Sequence, residues 1–384
     1  MESQNKSLAT SLYLHIPFCH SKCGYCAFNS KTNQNHLQAI YMETLAHYIT
    51  YKFKLLLQQY KNLTITSVYI GGGTPSIVEA KAYEAVFAEI YPYLQSDAEI
   101  TIEANPNTLN LEWLSSLKSF GVNRLSLGVQ SFDSEKLAFL ERDHKEDSIY
   151  NALDLAFKVG LENLNVDLIY GTPLCSPKLI ESELQRATSL PIQHISAYHL
   201  SIEEESRFFD KQKEKFGSIF PKDSNKEYSM ESNEEFGGFL SIGHFVCAYL
   251  NDTGFRQYEV SNYAKSKPSF KPSLHNLNYW SGKAYLGIGA GAVGCIDKIR
   301  TTMPKSLERF LEKFEEQTEI LSLEDELLEH LFLGFRSCVG VQESKIPNKK
   351  NLALLLDSKK VLKKGEKIYA QDYFLGDEIA LFVG

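Results

Sequence analysis

The chain has 384 residues, 43% of them hydrophobic and 23% charged, with a formal net charge of −8. That composition fits a globular protein of two or three units of roughly 150 residues each. The negative balance argues against a general nucleic-acid binder, whose affinity rests on neutralising phosphates. The longest apolar runs are strand-sized, so no membrane span is expected. The opening MESQNKSLATS lacks a basic segment followed by an apolar one, which predicts a cytoplasmic location.

The first predicted strand, Leu12–Ile16, runs directly into HIPFCHSKCGYCAF. Cys19, Cys23 and Cys26 place three thiols within eight residues. Zinc sites use a CxxC pair with a second pair or histidines further on, and no such pair follows. A disulfide reading fails on an odd number of thiols in a chain expected in the cytoplasm. Four-iron clusters are normally held by four thiolates, so three leave one iron open to another ligand. An open-coordinate iron–sulfur cluster is the best reading of this loop. His20 is expected to face solvent rather than metal. Tyr13 and His15 share a strand face with each other by period-two spacing.

Further predicted strands are Thr66–Ile70, Glu99–Glu103, Arg124–Gly128, Asn165–Ile169 and His194–Leu200. Between the first two strands, Leu37, Tyr41, Leu45 and Tyr48 recur at helical steps. Similar helical stretches occupy about 77–94, 110–119, 146–159 and 177–188. Alternating strand and helix predicts parallel strands with right-handed crossovers. Six units are too few for a closed eight-stranded barrel, so the fold class expected over residues 1–200 is α/β, an open (β/α)6 partial barrel. Chemistry in such sheets collects at the carboxyl ends of the strands. The turn Gly71-Gly72-Gly73-Thr74-Pro75 follows strand two, Glu103 ends strand three, Gln130 ends strand four and Asp167 lies in strand five. Missing side chains at the glycines permit close backbone approach to a ligand. Arg142 can fork onto a carboxylate.

Residues 201–320 form an extension, with a polar connection at 203–236, a helix at 239–249, a segment Phe255–Tyr263 and a polar loop at 264–274. It carries His275-Asn276-Leu277-Asn278-Tyr279-Trp280. Histidine is a common axial heme ligand, and the flanking aromatics offer flat apolar surface. Residues 321–384 are expected to form a small winged-helix-like unit of α+β type, ending in two short strands, IYAQ and EIALFV. Its Lys349, Lys350, Lys359, Lys360, Lys363 and Lys364 read as a solvated face. The scattered Cys175, Cys247, Cys295 and Cys338 read as small hydrophobes.

The stretch Tyr13–Phe28 resembles the cluster loop of the radical S-adenosylmethionine (SAM) superfamily. It looks specifically like the branch that holds oxygen-independent coproporphyrinogen III oxidase and the HemW-type heme chaperones. The resemblance implies one [4Fe-4S] cluster on Cys19, Cys23 and Cys26, with SAM on the free iron and reductive cleavage to a 5′-deoxyadenosyl radical. It implies SAM contacts at Tyr13, Gly72, Gly73, Thr74, Glu103, Gln130, Arg142, Asp167 and Ala197. The hexapeptide at His275 matches the HNxxYW signature of the chaperone branch, which implies heme at His275. Related oxidases tend to carry a further cysteine where Phe28 stands, and they have a longer segment before the cluster loop. The resemblance covers roughly residues 11–340; Ala290 stands where relatives commonly have proline.

Two functions are expected from this pattern. The first is a heme-handling protein that passes heme to an acceptor protein. The alternative is an oxygen-independent coproporphyrinogen III oxidase, decarboxylating porphyrinogen propionates by hydrogen abstraction. A radical SAM methyltransferase or heme-degrading relative is a third.

Overall fold

The computed structural model describes residues 6–210, 241–313 and 315–384. Six parallel strands alternate with helices: β1 (Ser7–Ile16), α1 (Gln38–Gln59), β2 (Asn62–Gly72), α2 (Tyr83–Ile90), β3 (Leu94–Ala104), α3 (Leu111–Ser119), β4 (Arg124–Gln130), α4 (Ser134–Phe139), α5 (Glu146–Lys158), β5 (Asn163–Tyr170), α6 (Pro177–Ser189) and β6 (His194–His199). The strands pair in sequence order, β1 to β6. All five pairings are parallel, as the α/β reading requires. Five of the six strands run longer than expected because backbone pairing continues beyond the apolar stretch, whereas β6 ends one residue short of the expected Leu200.

A short helix α7 (Arg207–Asp210) follows β6, then α8 (Ile242–Asp252), β7 (Phe255–Gln257), β8 (Asn262–Lys265), α9 (Leu274–Trp280) and β9 to β12 (Tyr285–Ile288, Val293–Ile296, Ile299–Thr302, Gln317–Ile320), with α10 (Leu307–Glu312) before the last. These strands extend the same sheet rather than forming a new layer: β8 and β7 continue beyond β6, while β9 joins β1 in parallel and leads to β10, β11 and β12. The connection expected at 203–236 lies outside the described residues from residue 211 on, as do the first two residues of the helix expected at 239–249.

The chain closes with α11 (Leu323–Phe335), β13 (Val341–Gln342), α12 (Lys349–Asp357), β14 (Val361–Lys364), β15 (Lys367–Ala370) and α13 (Gly376–Val383). The three strands form their own small sheet, and Leu331, Phe335, Leu352, Ile368 and Ile379 gather in a separate apolar core. The expectation of a strand at EIALFV is corrected here, because this segment is α13. Gly376, Ile379, Ala380 and Val383 are its buried positions, a helical face rather than an alternation, and Asp377 and Glu378 sit in its first turn, where acids suit the helix dipole. All six lysines of the basic segment are exposed, and Lys363 pairs with Glu343 at 2.5 Å.

The main core lies between the barrel strands and their helices, built from Leu12, Leu14, Ile65, Val68, Ile102, Leu125 and Val166 among others. One charged pair is buried within the helical layer. Lys136 of α4 meets Glu183 of α6 at 2.5 Å with both side chains almost wholly covered, and Ser131 donates to the same carboxylate. Removing one partner of such a pair strands a buried charge. Lys136→Met is expected to lower unfolding free energy by about 3–5 kcal/mol, with much of the loss recovered in Lys136→Met/Glu183→Leu; urea unfolding of both variants measures it.

Candidate functional site: two adjoining cavities at the strand ends

The loop after β1 and the turn after β2 meet because the strands are in parallel register, with Ile16 opposite Gly72. Gly73 N donates to Ile16 O at 2.8 Å and Thr74 N to Phe18 O at 2.7 Å. Side chains are excluded here. Gly72 has φ of +113°, and a Cβ on Gly73 would sit 2.6 Å from the Phe18 carbonyl oxygen.

A first cavity of about 460 Å³ opens between these turns and the ends of β3 to β6. Its wall includes Cys19, Cys23, Cys26, Gly72, Gly73, Thr74, Glu103, Gln130, Arg142 and Asp167. The structure thus brings together most of the residues that the sequence singled out from five separate strand ends. Cys19 receives a hydrogen bond from Thr74 Oγ1 at 3.4 Å, and Cys23 one from Arg142 Nη1 at 3.5 Å. Arg142 also donates to Asn105 Oδ1 at 2.7 Å and to Gly128 O at 2.8 Å, so it braces the cysteine loop against two strand ends. From the other side, Phe208 N donates to Gly24 O at 2.8 Å, and Arg207 binds the Lys22 carbonyl and Glu141.

The donor chemistry fits an iron–sulfur cluster. The three thiols are unpaired and line one space, and among the described residues no three His, Cys, Asp or Glu side chains converge on a single-ion site. Soft thiolates spaced around an opening suit a cluster with an added organic ligand. Burial pushes the Cys19 and Cys26 thiols up, so their protons must be displaced for ligation.

Glu103 faces the first cavity with one oxygen accepting from Tyr69 Oη at 2.8 Å and the other from Gly72 N at 3.1 Å. Burial nevertheless pushes its carboxyl up to about 7. Asp167 is likewise raised by burial and accepts from Asn165 at 2.8 Å. Asn165 in turn meets His194, whose other ring nitrogen reaches Tyr258 Oη at 2.8 Å.

Three expected positions lie off this wall. Ala197 is buried in the apolar core. Ser196 is the register partner of Asp167, so the residue that returns to the cavity is Tyr198. Alternation of side chains along a strand gives Ala197 the opposite face. Tyr13 and His275 belong to a second cavity of about 550 Å³, lined also by His15, Tyr69, Tyr279, Tyr285 and Lys305. Tyr69, Lys22, Ala27 and Phe28 line both spaces. Phe28 is 68% exposed at their common rim.

His15 Nε2 faces the Asn29 carbonyl at 2.8 Å and must donate there, so its Nδ1 accepts from Tyr13 Oη at 2.9 Å. His275 is 1% exposed. Its Nδ1 lies 2.9 Å from Ser67 Oγ, its ring stacks on Tyr69 at 5.2 Å, and its Nε2 has no hydrogen-bond partner among the described residues. Burial lowers its pKa to about 3, leaving a neutral imidazole. Trp280 is not on this wall but beneath the Arg336 guanidinium, 5.7 Å from its ring centre. Sequence reasoning missed Ser67, Tyr69 and Asn105. The first two were visible as alternate positions of β2 leading into the glycine turn, TSVYIGG.

A parallel strand series with thiols after its first strand and a glycine turn after its second defines a radical SAM protein. The family model of the Radical SAM superfamily matches residues 13–176, and the superfamily implies a [4Fe-4S] cluster and SAM. The heme chaperone HemW of Lactococcus lactis is 31% identical over 345 residues, 88% of this chain and 84% of that protein. The Bacillus subtilis protein of the same name is 30% identical over 348 residues, covering 88% and 86%. The chain belongs to the HemW family of radical SAM proteins. In fold it resembles coproporphyrinogen III oxidase from Escherichia coli, with a TM-score of 0.77, 22% identity, and 99% and 90% of the two chains covered. Among the described residues no helix is long and apolar enough to cross a membrane.

The raised Glu103 value has a measurable consequence. A carboxyl with a folded-state pKa above that of the unfolded chain contributes stability that is full below about pH 4.5 and is lost as pH rises through about 7. The loss can reach about 1.4 kcal/mol per pH unit. In cofactor-free protein, Glu103→Gln is expected to flatten the decline in unfolding free energy between about pH 5 and 7.5. An unchanged slope would show that Glu103 is ionised throughout.

Proposed function

We propose that this chain is a heme-handling radical SAM protein of the cytoplasm that delivers heme to an acceptor protein. Cys19, Cys23 and Cys26 hold the cluster in the first cavity. Gly72, Gly73 and Thr74 offer backbone and hydroxyl groups to SAM, and Glu103 accepts hydrogen bonds from its ammonium or ribose. Gln130 and Asp167 complete that wall, while Arg142 steadies Cys23. A bound cluster supplies an electron to the SAM sulfonium. His275 would hold heme in the second cavity, and Tyr13, on the wall of that same cavity, gives its hydroxyl to His15.

The observation that carries the reading is the Nε2 atom of His275. It is buried and, among the described residues, without a hydrogen-bond partner, on a residue that lines the cavity with Tyr13, Tyr69, Tyr279 and Tyr285. A buried nitrogen lone pair without a donor is costly unless a ligand uses it, and flat aromatic walls suit a porphyrin. The relatives described as heme chaperones support the same assignment. Against the oxidase alternative stands Phe28, where the related oxidases tend to carry cysteine.

Two measurements test this. Anaerobic reconstitution is expected to load four irons per chain with charge-transfer absorption that is lost in Cys19→Ala, Cys23→Ala or Cys26→Ala; equal loading in those variants refutes the cluster assignment. Heme titration is expected to show binding at least about tenfold weaker in His275→Ala. Conversion of coproporphyrinogen III to protoporphyrinogen IX by the same sample, with SAM and a reductant, would establish the oxidase instead.

A further inference from the structure

The ring of His275 is fixed by groups far from it in sequence. Ser67 of β2 is fully buried, and its hydroxyl donates to Ser11 Oγ at 2.9 Å. Ser11 Oγ also accepts from Asn278 Nδ2 at 2.9 Å, so a residue of α9 closes the group from the other side. With its one proton committed to Ser11, Ser67 can serve His275 Nδ1, at 2.9 Å, only as an acceptor. Nδ1 must therefore carry the imidazole proton, which leaves the free lone pair on Nε2, the ring nitrogen with no hydrogen-bond partner among the described residues.

The opposite tautomer would leave two groups unmet at once. A buried Nε2–H would have no acceptor, and the Nδ1 lone pair would face an oxygen whose proton is engaged elsewhere. The backbone is pinned as well: Glu99 accepts from Ser273 Oγ at 3.1 Å, Leu274 N at 3.0 Å and His275 N at 3.1 Å. Tyr69 and Tyr279 both pack on the ring, with centroids 5.2 and 4.8 Å away.

We propose that Ser67, held by Ser11, is a positioning residue that sets the Nδ1–H tautomer of His275 and so presents Nε2 to the iron of a bound heme. The proposal rests on His275 being the heme ligand. A histidine that donates its second ring N–H is a better-oriented and more basic metal ligand, and loss of that partner typically weakens metal binding 10–100-fold.

The first test needs no heme. Long-range 1H–15N correlation spectra of the full chain with labelled histidine are expected to show His275 protonated at Nδ1, and protonation at Nε2 overturns the proposal. In heme titrations, Ser67→Ala is expected to bind about 10–100-fold more weakly and to lower the ferrous iron–imidazole stretching frequency in resonance Raman spectra. Ser67→Thr, which keeps the hydroxyl, is expected to restore both. A merely structural serine would leave the vibration unmoved. If His275→Ala abolishes heme binding while Ser67→Ala changes neither affinity nor vibration, the positioning role fails and the ligand assignment stands. If His275→Ala binds heme as tightly as the unaltered chain, the ligand assignment itself fails, whatever tautomer the spectra report.

Discussion

The parallel register of β1 on β2 is the constraint on which both cavities depend. It sets Ser11 beside Ser67, Tyr13 beside Tyr69, His15 beside Gly71 and Ile16 beside Gly72. Each pair serves one part of the site, from the serines behind His275 to the turn that receives the cysteine loop. Side chains alternate along a strand, so a slip of one residue would exchange every inward group for an outward one. The apolar positions Leu12, Leu14, Val68 and Ile70 oppose such a slip, because each is fully buried on the other face. Core packing and site assembly are thus enforced by the same pairing.

The two cavities meet at a thin partition. Tyr69 gives its hydroxyl to Glu103 in one and its ring face to His275 in the other. A buried carboxyl group and a buried neutral imidazole consequently share contacts with one side chain. Burial acts on them in opposite chemical senses, lifting the acid to about 7 and lowering the base to about 3, and leaves both favouring the uncharged state.

Much of this was legible in sequence because it is local. Strand and helix alternation gave the parallel barrel, and the thiol spacing, the glycine run and Glu103 each sit at a strand end, where position alone places them in one cavity. What stayed hidden is either a matter of strand parity or of distance along the chain. Ala197 and Tyr198 differ by one residue and face opposite ways. Short apolar runs such as EIALFV fit a strand or a helical face equally well, and here the polar first turn tips the outcome to helix. His275 could be flagged by its hexapeptide, but Ser67 lies 208 residues away and Glu99 lies 176 away from it. No window along the chain contains them together.

Register between β1 and β2 shifts once, between Thr10 and Ser11, where the partners step from Ile65 to Ser67. Thr66 is the supernumerary residue. Below it, Leu63 pairs with Leu8 and Ile65 with Thr10; above it, β2 advances by one place, so that Ser67 meets Ser11 while Val68 and Ile70 pair with Leu12 and Leu14. Such irregularities are uncommon between parallel strands. A single inserted amino acid therefore acts as the phase adjuster of the sheet: the apolar positions of β2 pass from Leu63 and Ile65 to Val68 and Ile70, which frees Ser67 and Tyr69 for the opposite side of the ribbon.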